Sequence, residues 1–111
     1  MSWLSGEVLS YFQINRLSFI LSFQSGGQVS TECLISHISK SGEILSEYYP
    51  GEVPENLTIF CLLELSVESI EIAPGLLDIL FENSERIVIR RRSQEPEVAF
   101  VSFPSGHETI V

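Results

Sequence analysis

Apolar and polar residues alternate along most of this chain, and short runs of glycine, serine and proline separate the alternating stretches. Over residues 17–24, leucine and phenylalanine alternate with mostly polar residues, which is typical of a β-strand that packs one face against a core. The pattern continues over residues 29–35 after Ser25–Gly26–Gly27, whose glycines suit the positive φ of a hairpin turn. These stretches predict strands joined by hairpins.

The same order of strands and turns occurs twice. One copy covers about residues 4–32 and the other about 63–92, and each reads as strand, tight turn, strand, tight turn, strand. A further strand pair is predicted around residues 40–43, and another strand over 98–102, followed by a short tail. Between the copies, Leu57, Phe60, Cys61 and Leu65 fall at helical spacing after a proline that suits a first helical turn.

The length of 111 residues is enough to bury one core, so we expect a single domain over 1–111. The predicted fold class is mainly β. Two pseudo-repeated three-strand antiparallel units would form a small sandwich, roll or half-barrel, with one short helix near 54–64.

Five stretches, 4–8, 21–26, 79–84, 97–100 and 103–106, follow a strand-and-turn pattern that resembles an uncharacterised bacterial family of small β-rich domains. The chain departs from that pattern in lacking a glycine after Asn83 and in having Phe100 where a tryptophan is expected. The resemblance implies a β-rich fold and a bacterial source. It implies no site, because the family has no established activity.

Charge and hydropathy narrow the range of partners. The net charge is −9, from 15 acidic and 6 basic residues, and an acidic surface repels phosphate backbones, so nucleic acid is excluded as a general partner. Such a surface suits a basic protein. Only 19% of the residues are charged and the mean hydropathy is +0.23, so we expect another chain to cover some apolar surface, with a homodimer favoured.

No membrane or secretory segment is predicted. Residues 1–4 lack the basic start of a secretory signal, and the apolar run at 17–23 is far shorter than the ~20 residues that span a bilayer. Two cysteines are too few for a disulfide framework, so we expect a reduced, cytoplasmic protein.

Cys33, His37, Cys61 and His107 are the candidate zinc ligands. Zinc sites usually contain cysteine pairs two to four residues apart, and neither cysteine here has such a partner, so we interpret both as reduced core thiols and expect no metal or cofactor. Whether the four side chains converge cannot be read from their spacing.

Catalytic motifs are absent from the sequence. Ser36–His37 and Ser105–Gly106–His107 bring a hydroxyl close to an imidazole along the chain, but no nucleophile motif surrounds either serine. We therefore expect that this protein is not an enzyme.

Arg86, Arg90 and Arg92 fall on one face of a predicted strand and form the most basic part of the chain. They could bind an anion, or they could neutralise nearby carboxylates; the second alternative is favoured in so acidic a chain. Asp78 interrupts an apolar strand and needs a cationic partner, for which Arg90 or Arg92 is the candidate.

The leading functional hypothesis is a non-enzymatic protein-interaction or structural domain that self-associates. Exposed apolar side chains among five residues would form the interface: Trp3, Leu4, Tyr11, Tyr48 and Tyr49. One alternative is an acidic, immunity-like inhibitor of a basic toxin protein. A second is a small-molecule binding protein or enzyme with a pocket between the repeats.

Overall fold

The computed structural model describes residues 5–91, 100–102 and 108–110 and confirms the mainly β fold. Within these ranges the strands are β1 (Leu9–Ile14), β2 (Phe19–Phe23), β3 (Gln28–Thr31), β4 (Leu34–Ile38), β5 (Ile44–Tyr48), β6 (Val67–Ala73), β7 (Leu76–Phe81), β8 (Arg86–Arg90), β9 (Phe100–Ser102) and β10 (Glu108–Ile110). A short 3-10 helix, Thr58–Leu62, lies between β5 and β6.

The strands form two antiparallel sheets, with orders β1–β2–β3–β9–β10 and β5–β4–β8–β7–β6. The predicted three-strand units are the meanders β1–β2–β3 and β6–β7–β8, one in each sheet. Each meander is extended by a hairpin from elsewhere in the chain: β4–β5 joins β8, and β9–β10 joins β3. The two halves of the chain therefore exchange hairpins.

One strand was predicted to run through residues 29–35, and this prediction is wrong. The chain leaves the first sheet after β3 and enters the second at β4, with a bend at Glu32 and Cys33 between them. The Cys33 amide donates to Thr31 Oγ1 at 3.0 Å across this bend. Alternating burial continues through the bend, which is why the periodicity did not reveal it.

The two meanders have the same internal geometry. In the first, Leu9 pairs with Phe23, and in the second Val67 pairs with Phe81. Both pairs are followed by a β-bulge at the same place in the unit. Corresponding residues are separated by a constant number of positions along the chain.

A pseudo-two-fold axis relates the meanders where β1 meets β6. Four backbone hydrogen bonds join them: Gly6 N–H to Val67 C=O, Glu64 N–H to Leu9 C=O, Leu9 N–H to Leu65 C=O, and Val67 N–H to Glu7 C=O. If each residue is replaced by its counterpart in the other meander, the first bond becomes the second and the third becomes the fourth. The bridge between Val8 and Ser66, which are counterparts of each other, lies at the centre. This junction joins the first residues of β1 and β6, Leu9 and Val67, and the segments just before them.

The buried faces of both sheets contribute to one hydrophobic core. At one side of it, Phe12 stacks on Phe19 with ring centroids 5.8 Å apart, and Tyr48 meets both rings edge-on at 5.4 and 6.3 Å. Because Phe12 and Phe19 belong to the first sheet and Tyr48 to β5, this cluster holds the outer strand of the second sheet against the first.

The predicted short helix is present, but its buried face differs from the prediction. Ile59 and Leu62 are buried, whereas Leu57, Phe60 and Cys61 are exposed. A 3-10 helix has three residues per turn, so residues three apart share its inner face. Cys61 is therefore not the predicted core thiol. Within the described residues, no helix is long and apolar enough to cross a membrane.

Candidate functional site

An open cleft of about 360 Å³ runs beside β5 and is the candidate functional site. Its lining comes from β5 and from the segment that follows it: Ile44, Ser46, Glu47, Tyr49, Glu52, Val53, Pro54, Glu55 and Asn56. We call this feature the β5 cleft.

The β5 cleft lies along the edge of a sheet and not on one of its faces. Neighbouring residues of a strand point to opposite faces, yet Ser46 and Glu47 both line the cleft. Among the described strands, β5 is terminal in the second sheet and pairs only with β4. The segment 52–56 supplies most of the remaining lining.

The lining combines negative charge with exposed apolar surface. Glu47, Glu52 and Glu55 supply carboxylates, and none of the described lysine and arginine residues lines the cleft. Ile44 and Val53 are exposed, the latter to 91%, so both offer apolar surface at the cleft. A ligand with a cationic head on an apolar stem, such as a lysine or arginine side chain, would complement both properties.

Hydrogen bonds hold the Glu47 carboxylate in place. Ser36 Oγ donates to Glu47 Oε2 at 3.3 Å, and the Tyr49 hydroxyl donates to Glu47 Oε1 at 3.2 Å. A carboxylate with restrained rotamers loses less conformational entropy when it binds a cation.

Below the cleft, a buried histidine connects three parts of the fold. His37 on β4 is 1% exposed and has both ring nitrogens hydrogen-bonded. Nδ1 lies 2.8 Å from Thr58 Oγ1 at the start of the 3-10 helix, and Nε2 lies 2.8 Å from Glu85 Oε1 in the turn before β8.

A chain of hydroxyls continues from Thr58 to the cleft. Thr58 Oγ1 hydrogen-bonds Ser46 Oγ, and Ser46 donates to the Tyr48 hydroxyl at 2.9 Å. The Tyr48 oxygen also accepts the Ile59 amide at 3.2 Å. The network fixes both ends of the segment between β5 and the helix, which contains the lining residues 52–56.

A carboxylate, an imidazole and a hydroxyl linked by hydrogen bonds also occur in hydrolytic triads, but the surroundings of this group favour a structural role over a catalytic one. His37 is enclosed, and the Thr58 hydroxyl is already bonded to Ser46. Ser36 and His37 are adjacent along the chain but point to opposite faces of β4, and Ser36 bonds Glu47. Ser105 and His107 lie outside the described residues.

The candidate zinc ligands are in different environments. Cys33 is buried, Cys61 is exposed, and both nitrogens of His37 are occupied by Thr58 and Glu85. His107 lies outside the described residues. In the described part of the chain, no group of three or more histidine, cysteine or acidic side chains could hold a metal ion.

Of the predicted interface residues, Tyr11 and Tyr49 are exposed, and Trp3 and Leu4 lie outside the described residues. Tyr48 is 1% exposed and belongs to the core instead, because its parity on β5 directs it inward beside Ser46. Sequence reasoning missed Val53 and the glutamates at 52 and 55. The only signal was their proximity to Tyr49 in a proline-rich loop.

The ion pair of Asp78 differs from the prediction. Asp78 Oδ2 accepts from Arg86 Nη1 at 2.8 Å, and not from Arg90; Arg92 lies outside the described residues. Asp78 pairs across the strands with Val88, so Arg86 is its diagonal neighbour on the same face. The Asp78 Oδ1 atom is buried without a hydrogen-bond partner.

Comparison with protein-family models, with curated proteins and with solved structures finds no match for this chain. The geometry and charge of the β5 cleft are therefore the basis for proposing a function.

Proposed function

We propose that this chain is a non-enzymatic protein-interaction domain that binds a cationic segment of a partner protein in the β5 cleft. The observation that carries the proposal is the combination of three carboxylates and exposed apolar side chains in one cleft at the edge of a sheet. A free cysteine at the surface, Cys61, is compatible with a reducing cytoplasmic setting.

The charge of the whole chain supports the same partner. A net charge of −9 attracts a basic protein from a distance and accelerates encounter at low salt. Because Glu52 and Glu55 are exposed, each pairing of a cation with one of these carboxylates contributes roughly 1 kcal/mol or less, and several pairs are needed for useful affinity. An acidic inhibitor of a basic toxin protein would be one case of this function.

Self-association through the cleft is less favourable than binding to a basic protein. A two-fold contact would bring the glutamates of one copy against the same glutamates of the second, and like charges repel. The small-molecule alternative placed a pocket between the repeats, whereas the cleft lies outside the two meanders, along β5.

A synthetic peptide of roughly six residues, alternating lysine and valine, provides a direct test, since that length matches the edge of β5. The Glu52→Gln/Glu55→Gln variant should bind it about tenfold more weakly by calorimetric titration, because two ion pairs are lost. The control, Glu68→Gln/Glu71→Gln, removes the same charge from exposed positions on β6 and should change the affinity by less than about twofold.

Equal weakening in both variants would contradict the proposal, since it would show that the peptide responds to net charge alone. Tight binding that survives about 0.5 M salt in all variants would contradict it as well.

A further inference from the structure

We propose that the β5 cleft binds its partner as an added β-strand, so that the ligand is an extended segment in which basic residues alternate with small or apolar ones. This inference rests on the proposed function and specifies the form of the ligand.

The two edges of the second sheet are not equivalent. At the β6 edge, the backbone bonds around Val8 and Ser66 reach only Val67, the first residue of the strand. At the opposite edge, β5 pairs with β4 on its inner side, and no described strand pairs with its outer side. Because alternate backbone groups of a strand point to either side, half of those in β5 face outward and can pair with another strand.

The position of the cleft supports this mode of binding. The cleft takes its lining from both faces of β5, through Ser46 and Glu47, and from the segment 52–56. A bound segment would therefore lie in the plane of the sheet, between β5 and that segment. At about 3.4 Å per residue, the five residues of β5 offer an edge of at most roughly 17 Å, which the β-bulge at Leu45 shortens.

The side chains of β5 predict the pattern of the ligand. β5 has a β-bulge at Leu45, and beyond it Glu47 lies on one face of the strand and Ser46 on the other. Residues of the added strand on the Glu47 face would meet its carboxylate, which favours lysine or arginine. Those on the Ser46 face would meet a small hydroxyl, which favours small or apolar residues.

The test uses the lysine–valine peptide in two N-methylated forms, one methylated at the lysine amides and the other at the valine amides. In a strand these two sets of N–H groups point to opposite edges, so only one set can donate to β5. We expect one form to lose at least about tenfold in affinity and the other to bind nearly as the parent does. Amide exchange in Ile44–Tyr48 should slow when the parent peptide binds.

Equal affinity of both forms, or equal loss in both, would overturn strand addition, because neither result singles out one edge of the peptide. Such a result leaves the proposed function intact if the glutamates of the cleft still control parent-peptide binding. If the parent peptide binds the Glu52→Gln/Glu55→Gln variant as tightly as the wild type, the proposed function itself fails.

Discussion

Replacing Ser84 by glycine should stabilise the fold, because the internal symmetry places a non-glycine residue in a turn whose counterpart is a glycine. Ser84 has φ +71°, and the corresponding residue of the first meander is Gly26, with φ +101°. The left-handed conformation is about 1–2 kcal/mol less favourable for a residue with a Cβ. Glycine avoids that strain, but fixing its backbone on folding costs about 0.5–1 kcal/mol more in entropy. The net expected gain for Ser84→Gly is about 0.5–1 kcal/mol.

Thermal and urea unfolding measure this gain. For a domain of this size, 1 kcal/mol raises the Tm by roughly 4 °C. The control, Ser84→Ala, keeps a Cβ in the same conformation and should change stability by less than about 0.5 kcal/mol. A Ser84→Gly variant that unfolds at the wild-type midpoint, or below it, would refute the argument that the turn is strained.

The symmetric junction offers the reverse experiment. Gly6 has φ +86°, and none of the described residues beyond its chain neighbours has an atom within 4 Å of an added Cβ, so Gly6→Ala changes the backbone strain without a clash among them. We expect a loss of about 1 kcal/mol in unfolding free energy. An unchanged stability would show that the backbone at this junction relaxes easily.

Three further substitutions test the polar interactions described above. Tyr48→Phe should lower the unfolding free energy by about 1–2 kcal/mol, because the Ile59 amide loses its acceptor; an unchanged urea midpoint would contradict this. His37→Phe should lower the unfolding free energy by about 2–4 kcal/mol and also weaken binding of the basic peptide, because Thr58 and Glu85 both lose their hydrogen bond to the imidazole. A variant with wild-type stability and normal binding would exclude the role of His37 in anchoring these two segments. Arg86→Ala should lower the unfolding free energy by about 1 kcal/mol, because Asp78 is only 15% exposed and loses the cation that neutralises its charge; the 44% exposure of Arg86 limits the effect. Asp78→Leu should leave the unfolding free energy nearly unchanged. A larger loss for Asp78→Leu than for Arg86→Ala would contradict the burial argument.

The repeated strands could be predicted from the sequence because a period of two and glycine-containing turns are local signals. The hairpin exchange could not, since the pairing of β4 with β8 joins residues far apart in the chain and depends on which edge each strand finds. The helical stretch was assigned the wrong inner face because α and 3-10 periodicities diverge within two turns.

The site depended on contacts between distant residues. His37 and Glu85 are separated by 48 positions, and neither position carries a motif. The β5 cleft depends on where the segment 52–56 lies after the chain leaves β5, and the sequence shows there only a loop rich in proline and glutamate. Strand parity alone, applied to Tyr48 and Ser46, would have assigned the tyrosine to the core.

Binding in the β5 cleft is tested most directly by a map of backbone amide chemical shifts while the lysine–valine peptide is added to the full chain. We expect the largest changes within residues 44–56, along β5 and the segment that follows it. Changes spread over the acidic surface, or centred on the glutamates of β6, would show that the chain attracts cations only through its overall charge and that the cleft is not a binding site.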